Sequence, residues 1–405
     1  MDDVSRMRVL WVKVGGLWPK NTGGRLRSFH ILSELSRRHR VTLITTHGPD
    51  EDPEALRREL PFCERIVSVP RTPPKWNTWR FPVALIRAWL TGRPVDAVRC
   101  EDAGVQAEVR RALAENATDV CVADFLCAIP NVPLRGRVPV IHFSHNVEFM
   151  IWKRLAAVET RRWRRALLER EARTMRLYEA DACSRASLTI AVSEQDRMQL
   201  AENAPGSHVV SVPTGVDVDY FTPGAEPELP SQIVFTGSMD WAPNEDAMLW
   251  FMASVLPLVR REIPATTLTI VGRNPSNRLI DAARSADVGV TGTVDDVRPY
   301  VAQAPVYVVP LRIGGGTRLK IFEALAMGKA LVSTRIGAEG LPLEPGRHFE
   351  RADDPQAFAD AVVALLRDPA RRRALGDAGR KLMVERYAWQ QVAAEFGEKC
   401  QEAMV

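Results

Sequence analysis

The stretch PLRIGGGTRLKIFEALAMGKALVST, Pro310 to Thr334, concentrates groups that could do chemistry. An apolar run ends there in Gly314, Gly315 and Gly316, which let the backbone approach a ligand and present several N–H groups to it. Thr317 is placed to cap a following helix, whose dipole adds partial positive charge at its start. Arg318 and Lys320 fall in the first turn, where a helix ordinarily prefers acids. That reversal costs about 0.3–1 kcal/mol per charge unless an anion sits nearby. Glu323 lies three residues beyond Lys320 on the same side, and its carboxylate can accept two hydrogen bonds from a ribose diol. Phosphate beside ribose is the ligand this set would hold. A plain capped helix with a Lys320–Glu323 ion pair is the alternative, and it explains neither the triple glycine nor the inverted charge.

A second glycine loop, GGLWPKNTGGRLRS, follows the first apolar run and brings Gly23 and Gly24 to a helix start, with Arg25 and Arg27 behind them. It lacks the G-x-G-x-x-G spacing of a dinucleotide site, and a tight turn before a helix would also account for it. His145, in VIHFSHNVE, falls just after a strand end and is expected to serve a site. His142, within the strand, reads as a core histidine with its hydrogen bonds satisfied. No H-E-x-x-H or paired His/Cys spacing occurs, and Asp217 and Asp219 read as a turn, so no metal is expected.

These loops need strands to hold them. MRVLWVKV, RVTLITTH, RIVSVP, TDVCVADF, VPVIHFSHN, SLTIAVS and HVVSVPTGV are strand-like, with helical patterns among them. After the Pro-rich, acidic VDYFTPGAEPELPSQ a second series follows: IVFTGS, TLTIVG, VGVTGTV, VYVVPL and ALVSTR. Repeated strand–helix alternation argues for doubly wound parallel sheets, an α/β architecture of two Rossmann-like domains. The expected domains are 1–224 and 225–385, with a helix over 386–405 that could cross back to the first. In such folds ligands bind at the carboxyl ends of strands, so the two domains should face a central cleft.

Composition excludes several classes. Hydrophobic content of 46% with 26% charged residues fits a soluble globular chain rather than a disordered one. FPVALIRAWL is too short and too charged to span a membrane, and MDDVSRMRVL lacks the pattern of a secretory signal. The six scattered cysteines read as reduced thiols, which with the rest suggests a cytoplasmic protein. Through Thr222 there are 33 basic against 27 acidic residues, and beyond it 21 against 23, so the first half carries the positive excess. Much of it sits in IWKRLAAVETRRWRRALLEREARTMRLYEA, from Ile151, which reads as one basic helix. Such a helix could touch an anionic membrane surface or be a solvated helix laced with Glu–Arg pairs. No nucleic-acid motif is present.

FTGSMDWAPNEDAMLWF, VTGTVDDVRPYVAQAPVYVVPL, GTRLKIFEALAMGKALVST, VPTGVDVDYFTP and IAVSEQDRM resemble, in order, the motifs of the family 4 glycosyltransferases. The resemblance extends over nearly the whole chain and implies the GT-B fold. It implies a retaining transferase that moves a sugar from a UDP- or GDP-linked donor to an acceptor hydroxyl, in polysaccharide or glycolipid synthesis. It assigns Glu323 to the ribose and Val294, after VTGT, to the base. Gly237, Gly23, Gly24 and the Gly314–Thr317 loop join the donor set. His145 would contact the donor sugar near the reacting centre, while Arg318 and Lys320 would stabilise the leaving diphosphate without a metal. Two departures stand out: Gly315 occupies the place of a usual glutamate eight residues before Glu323, and TGSMDWAPNEDA lacks the usual basic pair. Arg318 and Lys320 would then carry the charge that this pair supplies elsewhere. The partners implied are the donor and an acceptor sugar, glycolipid or small molecule, with contact at the inner face of the membrane left open and no nucleic acid. A sugar-nucleotide 2-epimerase of the same fold, or a non-catalytic nucleotide-sugar binding protein, are the competing readings.

Overall fold

The computed structural model describes residues 6–20, 22–72, 74, 80–115, 117–224, 227–313 and 318–404. Apolar runs buried on both faces build a parallel sheet in each half. The first comprises β1 (Arg8–Lys13), β2 (Arg40–His47), β3 (Arg65–Pro70), β4 (Val120–Asp124), β5 (Val140–Phe143), β6 (Leu188–Ala191) and β7 (Val209–Ser211). Its order is β3-β2-β1-β4-β5-β6-β7, all parallel. The second comprises β8 (Gln232–Thr236), β9 (Thr267–Val271), β10 (Gly289–Val290), β11 (Val306–Val309), β12 (Ala330–Ser333) and β13 (Glu350–Arg351). Its order is β10-β9-β8-β11-β12-β13, again parallel. Each sheet reverses direction of winding once, between β1 and β4 and between β8 and β11. Those switch points are where such sheets hold ligands. Each of the twelve strands read from the sequence is present; β13, two residues long and only partly buried, carried no apolar run to reveal it.

Two compact units result, Met1–Pro213 with Val392–Val405, and Thr214–Gln391. The division thus precedes the Pro-rich stretch, earlier than the boundary at residue 224. The reason is local packing. Val216 N donates to Tyr387 O at 2.7 Å and its side chain joins the second core, with Val218 and Phe221 packed against it. In the first unit Trp11 is fully buried, set edge-on to Phe143 and 5.5 Å from Phe396 of the last helix, Trp389–Glu402.

The basic segment after Ile151 is not one helix. It forms Glu148–Val158 and Arg162–Arg185, broken at Glu159–Arg161. Glu159 makes the break: its Oε1 accepts from Arg161 N at 2.8 Å and its carbonyl accepts from Arg165. A side chain that bonds its own backbone in this way competes with the helical ladder.

Candidate functional site

In the second unit β8 ends at Thr236 and the chain turns at Gly237 beside the helix Leu319–Ala326. Lys320 Nζ donates to Asn244 Oδ1 at 2.8 Å and lies 4.1 Å from the centre of the Phe235 ring. Asn244 is itself fixed, since its Nδ2 donates to Ser238 O at 2.8 Å. Glycine at 237 has a steric cause. A Cβ there would fall 2.6 Å from Lys320 Nζ and 2.7 Å from Asn244 Nδ2. Arg318 occupies the residue before the helix, buried, with its guanidinium 5.6 Å from the Trp241 ring.

The electrostatics of this corner are unusual. Burial pushes the Lys320 ammonium down to about 7, Arg318 adds to the effect and Glu323 opposes it. Burial likewise pushes the Glu323 carboxyl up to about 7, against the attraction of Lys320. The pair is therefore close enough to interact, yet the hydrogen bond from Lys320 goes to Asn244. Two cations and a carboxylate in a low-dielectric corner, with the charged form of Lys320 disfavoured, suit an anion that would stabilise it.

Gly237, Arg318, Lys320 and Glu323 are thus brought together, whereas Gly314, Gly315, Gly316 and Thr317 lie outside the described residues. Val294 follows β10 in the same unit. It packs against the second core and, with Thr293, Asp295, Asp296, Pro299, Tyr300 and Gln303, lines an open hollow of about 610 Å³. Asn244 escaped the sequence reading. Its position two residues into a helix, after Trp241, looks like an ordinary first turn.

The first unit holds a buried polar chain at its own switch point. Asp124, the last residue of β4, is fully buried. Its Oδ1 accepts from His145 Nε2 at 2.8 Å, and its Oδ2 accepts from Trp11 Nε1 at 2.9 Å and lies 3.3 Å from Lys13 Nζ. Arg27 Nη1 lies 3.0 Å from His145 Nδ1. A guanidinium only donates, so Nδ1 accepts and the ring proton sits on Nε2. Burial, with Arg27 and Lys13 adding to it and Asp124 opposing, pushes His145 down to about 3, so the ring is neutral. Burial alone would raise the Asp124 carboxyl; Lys13 and His145 outweigh it and hold the group well below the usual carboxylate range.

His145, expected from the resemblance to contact the donor sugar, is thus enclosed by protein groups in this structure. Its side chain is 1% exposed, both ring nitrogens are engaged, and Phe125 stacks on its face with centroids 3.7 Å apart and planes 12° apart. Phe125 has φ +71°, a conformation that strains a non-glycine residue by about 1–3 kcal/mol. Gly24 makes room for it: a Cβ there would fall 2.4 Å from Phe125 Cζ. Gly23 begins the helix Gly23–Arg38, capped by Thr22. Arg25 is committed to the preceding loop, donating to Gly15 O at 2.8 Å and pairing with Glu51 at 3.0 Å. The sequence did hold a signal for this cluster. Lys13 and Asp124 are charges inside apolar strands, and a buried charge requires a partner.

His142 also departs from expectation. It is fully buried in β5, yet neither ring nitrogen has a partner among the described residues, and burial pushes it down to about 4. Asp217 does form a turn, accepting from Tyr220 N at 2.9 Å. Among the described residues no three His, Cys, Asp or Glu side chains stand close enough to hold a metal ion, and no helix is long and apolar enough to cross a membrane.

Comparison with known proteins agrees with this architecture. The family described as Glycosyltransferase Family 4 matches residues 23–220, and Glycosyl transferases group 1 matches residues 230–368. A phosphatidyl-myo-inositol mannosyltransferase of Mycobacterium tuberculosis is 32% identical over 221 residues, 51% of this chain and 57% of that protein. A GDP-mannose-dependent alpha-(1-6)-phosphatidylinositol monomannoside mannosyltransferase of Mycolicibacterium smegmatis is 28% identical, over 51% of this chain and 60% of that one. The matched region thus spans little more than half the length of these relatives. Sucrose-phosphate synthase from Thermosynechococcus elongatus shares the fold with a TM-score of 0.69 at 17% identity, over 98% of this chain and 99% of that one. Anabaena HepE, solved with UDP and glucose, does so with a TM-score of 0.63 at 13% identity, over 98% and 100%. With GT-B neighbours over its whole length and family matches in both halves, the chain belongs to glycosyltransferase family 4.

Proposed function

We propose that this chain is a retaining glycosyltransferase that moves a sugar from a nucleoside-diphosphate sugar to an acceptor hydroxyl. One observation carries the reading: the half-buried Lys320 ammonium, held by Asn244 against Gly237 at the switch point of the second sheet, with Arg318 beside it. The acceptor hydroxyl forms its bond to the anomeric carbon on the face that the diphosphate leaves. The carbon–oxygen bond to phosphate breaks, and a departing phosphate oxygen takes the acceptor's proton. Catalysis then consists of stabilising the leaving charge, which Lys320 and Arg318 do without a metal. Glu323 accepts from the ribose hydroxyls, and the Val294 segment reads the base.

The curated relatives named for GDP-mannose favour a guanosine donor, while the neighbours solved with UDP keep a uridine donor in the set. Relatives that act on phosphatidylinositol lipids favour a glycolipid acceptor over a soluble one. The protein would then work in the cytoplasm, at the inner face of the membrane.

Calorimetric titration with UDP, GDP, ADP and dTDP, each with and without EDTA, tests the donor. Binding of one diphosphate regardless of EDTA, lost in Lys320→Ala, is expected. Incubation with the matching nucleotide sugar then separates a transferred sugar from an epimerised donor. Absence of binding by all four would overturn the reading.

A further inference from the structure

Two loops leave the second sheet side by side. β8 and β9 pair in parallel as far as their last residues, Thr236 opposite Val271, so Gly237–Ser238 and Gly272–Arg273 emerge together at the carboxyl end. Their contact is tight, since a Cβ on Gly272 would fall 1.7 Å from Gly237 O. Ser238 then stands between two cations. Its carbonyl accepts from Asn244 Nδ2 at 2.8 Å, and Asn244 Oδ1 in turn accepts from Lys320. Its hydroxyl oxygen accepts from Arg273 Nε at 2.8 Å, while the hydroxyl proton goes to Asp240 Oδ1.

The Arg273 side chain is not needed to hold its loop. Gly237 N donates to Val271 O and Met239 N to Arg273 O, both at 2.9 Å. Asn274 Nδ2 donates to Asp240 Oδ2 at 3.0 Å, and Ser276 Oγ donates to Glu245 Oε1. Arg273 is exposed and gives only its Nε–H to Ser238, which leaves the terminal N–H groups. Among the described residues those groups have no protein acceptor, and no carboxylate lies within ion-pair distance of them. Asp240 is near enough to feel the charge, but its two oxygens are occupied by Ser238 and Asn274.

The anion's charge also exceeds what the corner already holds. The segment TGSMDWAPNEDA after β8 has three acidic residues and no basic one. The two phosphates of a sugar donor carry about two negative charges, and the departing diphosphate carries about three. Lys320, once charged, and Arg318 match two of these. The third appears only as the sugar leaves, and a cation placed to meet it stabilises the transition state more than the bound donor.

We propose that Arg273 is a phosphate-binding residue of the donor site, its terminal N–H groups meeting the diphosphate from the β9 side as Lys320 does from the helix after β11. The forked guanidinium suits a phosphate on geometric grounds as well as by charge. The assignment deepens the transferase reading and rests on it.

The test is calorimetry on the full chain with UDP, GDP and inorganic pyrophosphate, the last having neither base nor ribose. Arg273→Gln keeps an N–H donor for Ser238 and removes the charge, whereas Arg273→Lys keeps the charge. Arg273→Gln should weaken the nucleoside diphosphate that the parent binds, and pyrophosphate with it, about tenfold. Arg273→Lys should recover part of that loss, and affinity should decline less steeply with salt in Arg273→Gln than in the parent. Melting temperature should hold, because the backbone and Asn274 bonds still join the two loops. Unchanged binding by Arg273→Gln, with Lys320→Ala still impaired, would overturn this proposal and leave the transferase reading standing. So would a loss confined to UDP or GDP, since the guanidinium would then serve the base or the ribose. A loss that comes with a lower melting temperature and is not recovered by lysine would also overturn it, making Arg273 a structural tie. A parent chain that binds none of the three ligands would overturn the transferase reading and this proposal together.

Discussion

Lys320 donates to Asn244 Oδ1 at 2.8 Å, and through that bond a cation from the helix after β11 is delivered to the loop after β8. That loop, TGSMDWAPNEDA, contains no basic residue of its own. The charge missing from the local sequence is therefore supplied in space. If the ammonium meets a diphosphate there, Lys320→Ala should weaken nucleoside-diphosphate binding by about 1.5–3 kcal/mol, the worth of a charge-assisted hydrogen bond. Asn244→Ala should cost less, about 0.5–1.5 kcal/mol, because Asn244 only aims the ammonium. Calorimetry at one fixed salt concentration measures both. An unchanged affinity in Lys320→Ala would remove the residue from the phosphate site.

The depressed Lys320 ammonium also predicts a proton balance. In the free protein it titrates at about 7, so above that pH most molecules hold a neutral amine. A bound diphosphate favours the charged form and raises the value, so binding must take up a proton, and affinity must fall as pH rises above 7. At about pH 8 a phosphate is already fully ionised, so the proton goes to Lys320 or to Glu323, whose carboxyl also stands at about 7, and Lys320→Ala separates the two. Binding enthalpies measured in buffers of different ionisation heat should show uptake in the parent chain and none in Lys320→Ala. A buffer-independent enthalpy in the parent would contradict the assignment.

The strand pattern and the helix starts were legible because burial on both faces leaves continuous apolar runs such as VLWV and VYVV. The grouping of Arg318, Lys320 and Glu323 was legible as well, since Lys320 and Glu323 share one short helix and Arg318 immediately precedes it. What the chain order hid were contacts made across it. Asn244 meets Lys320 from 76 residues away, and Asp124 meets Trp11 from 113. His145 shows the same limit from the other side. Its place after a strand end suggested a site role, and only the stacked Phe125 and the buried Asp124 show how its ring is enclosed.

Gly24 and Phe125 give a packing test of that closed cluster. Gly24→Ala places a methyl 2.4 Å from Phe125 Cζ, and Phe125 is hemmed in by His145 and by Lys13, 4.2 Å from its ring centre. Overpacking of this kind should cost about 1–3 kcal/mol. Phe125→Ala in the Gly24→Ala background should recover part of that loss, because the clash disappears with the ring. Denaturant unfolding of the two single variants and the double variant gives the coupling energy. Strict additivity would mean that the two residues do not constrain one another.

Glu179 predicts how stability depends on pH. It projects from the helix Arg162–Arg185 into the interior, where its Oε1 accepts from Glu148 N at 2.8 Å and its Oε2 has no partner among the described residues. Burial pushes its carboxyl up to about 8, with the charge of Glu148 adding to the effect and the backbone N–H groups opposing it. In the unfolded chain a glutamate titrates near about 4.3. Between those values the folded protein holds a proton that the unfolded chain has released, so stability falls as pH rises. The contribution is complete below the unfolded value and is lost as pH passes about 8. Glu179→Gln keeps an acceptor for Glu148 N and removes the titration. Between about pH 5 and 8 the parent chain should lose on the order of 3 kcal/mol more than this variant. Unfolding midpoints at three pH values in that window measure the two slopes. Parallel slopes would show that Glu179 is charged in the native interior, and its neighbours would then have to supply a counter-charge that the buried carboxylate visibly lacks.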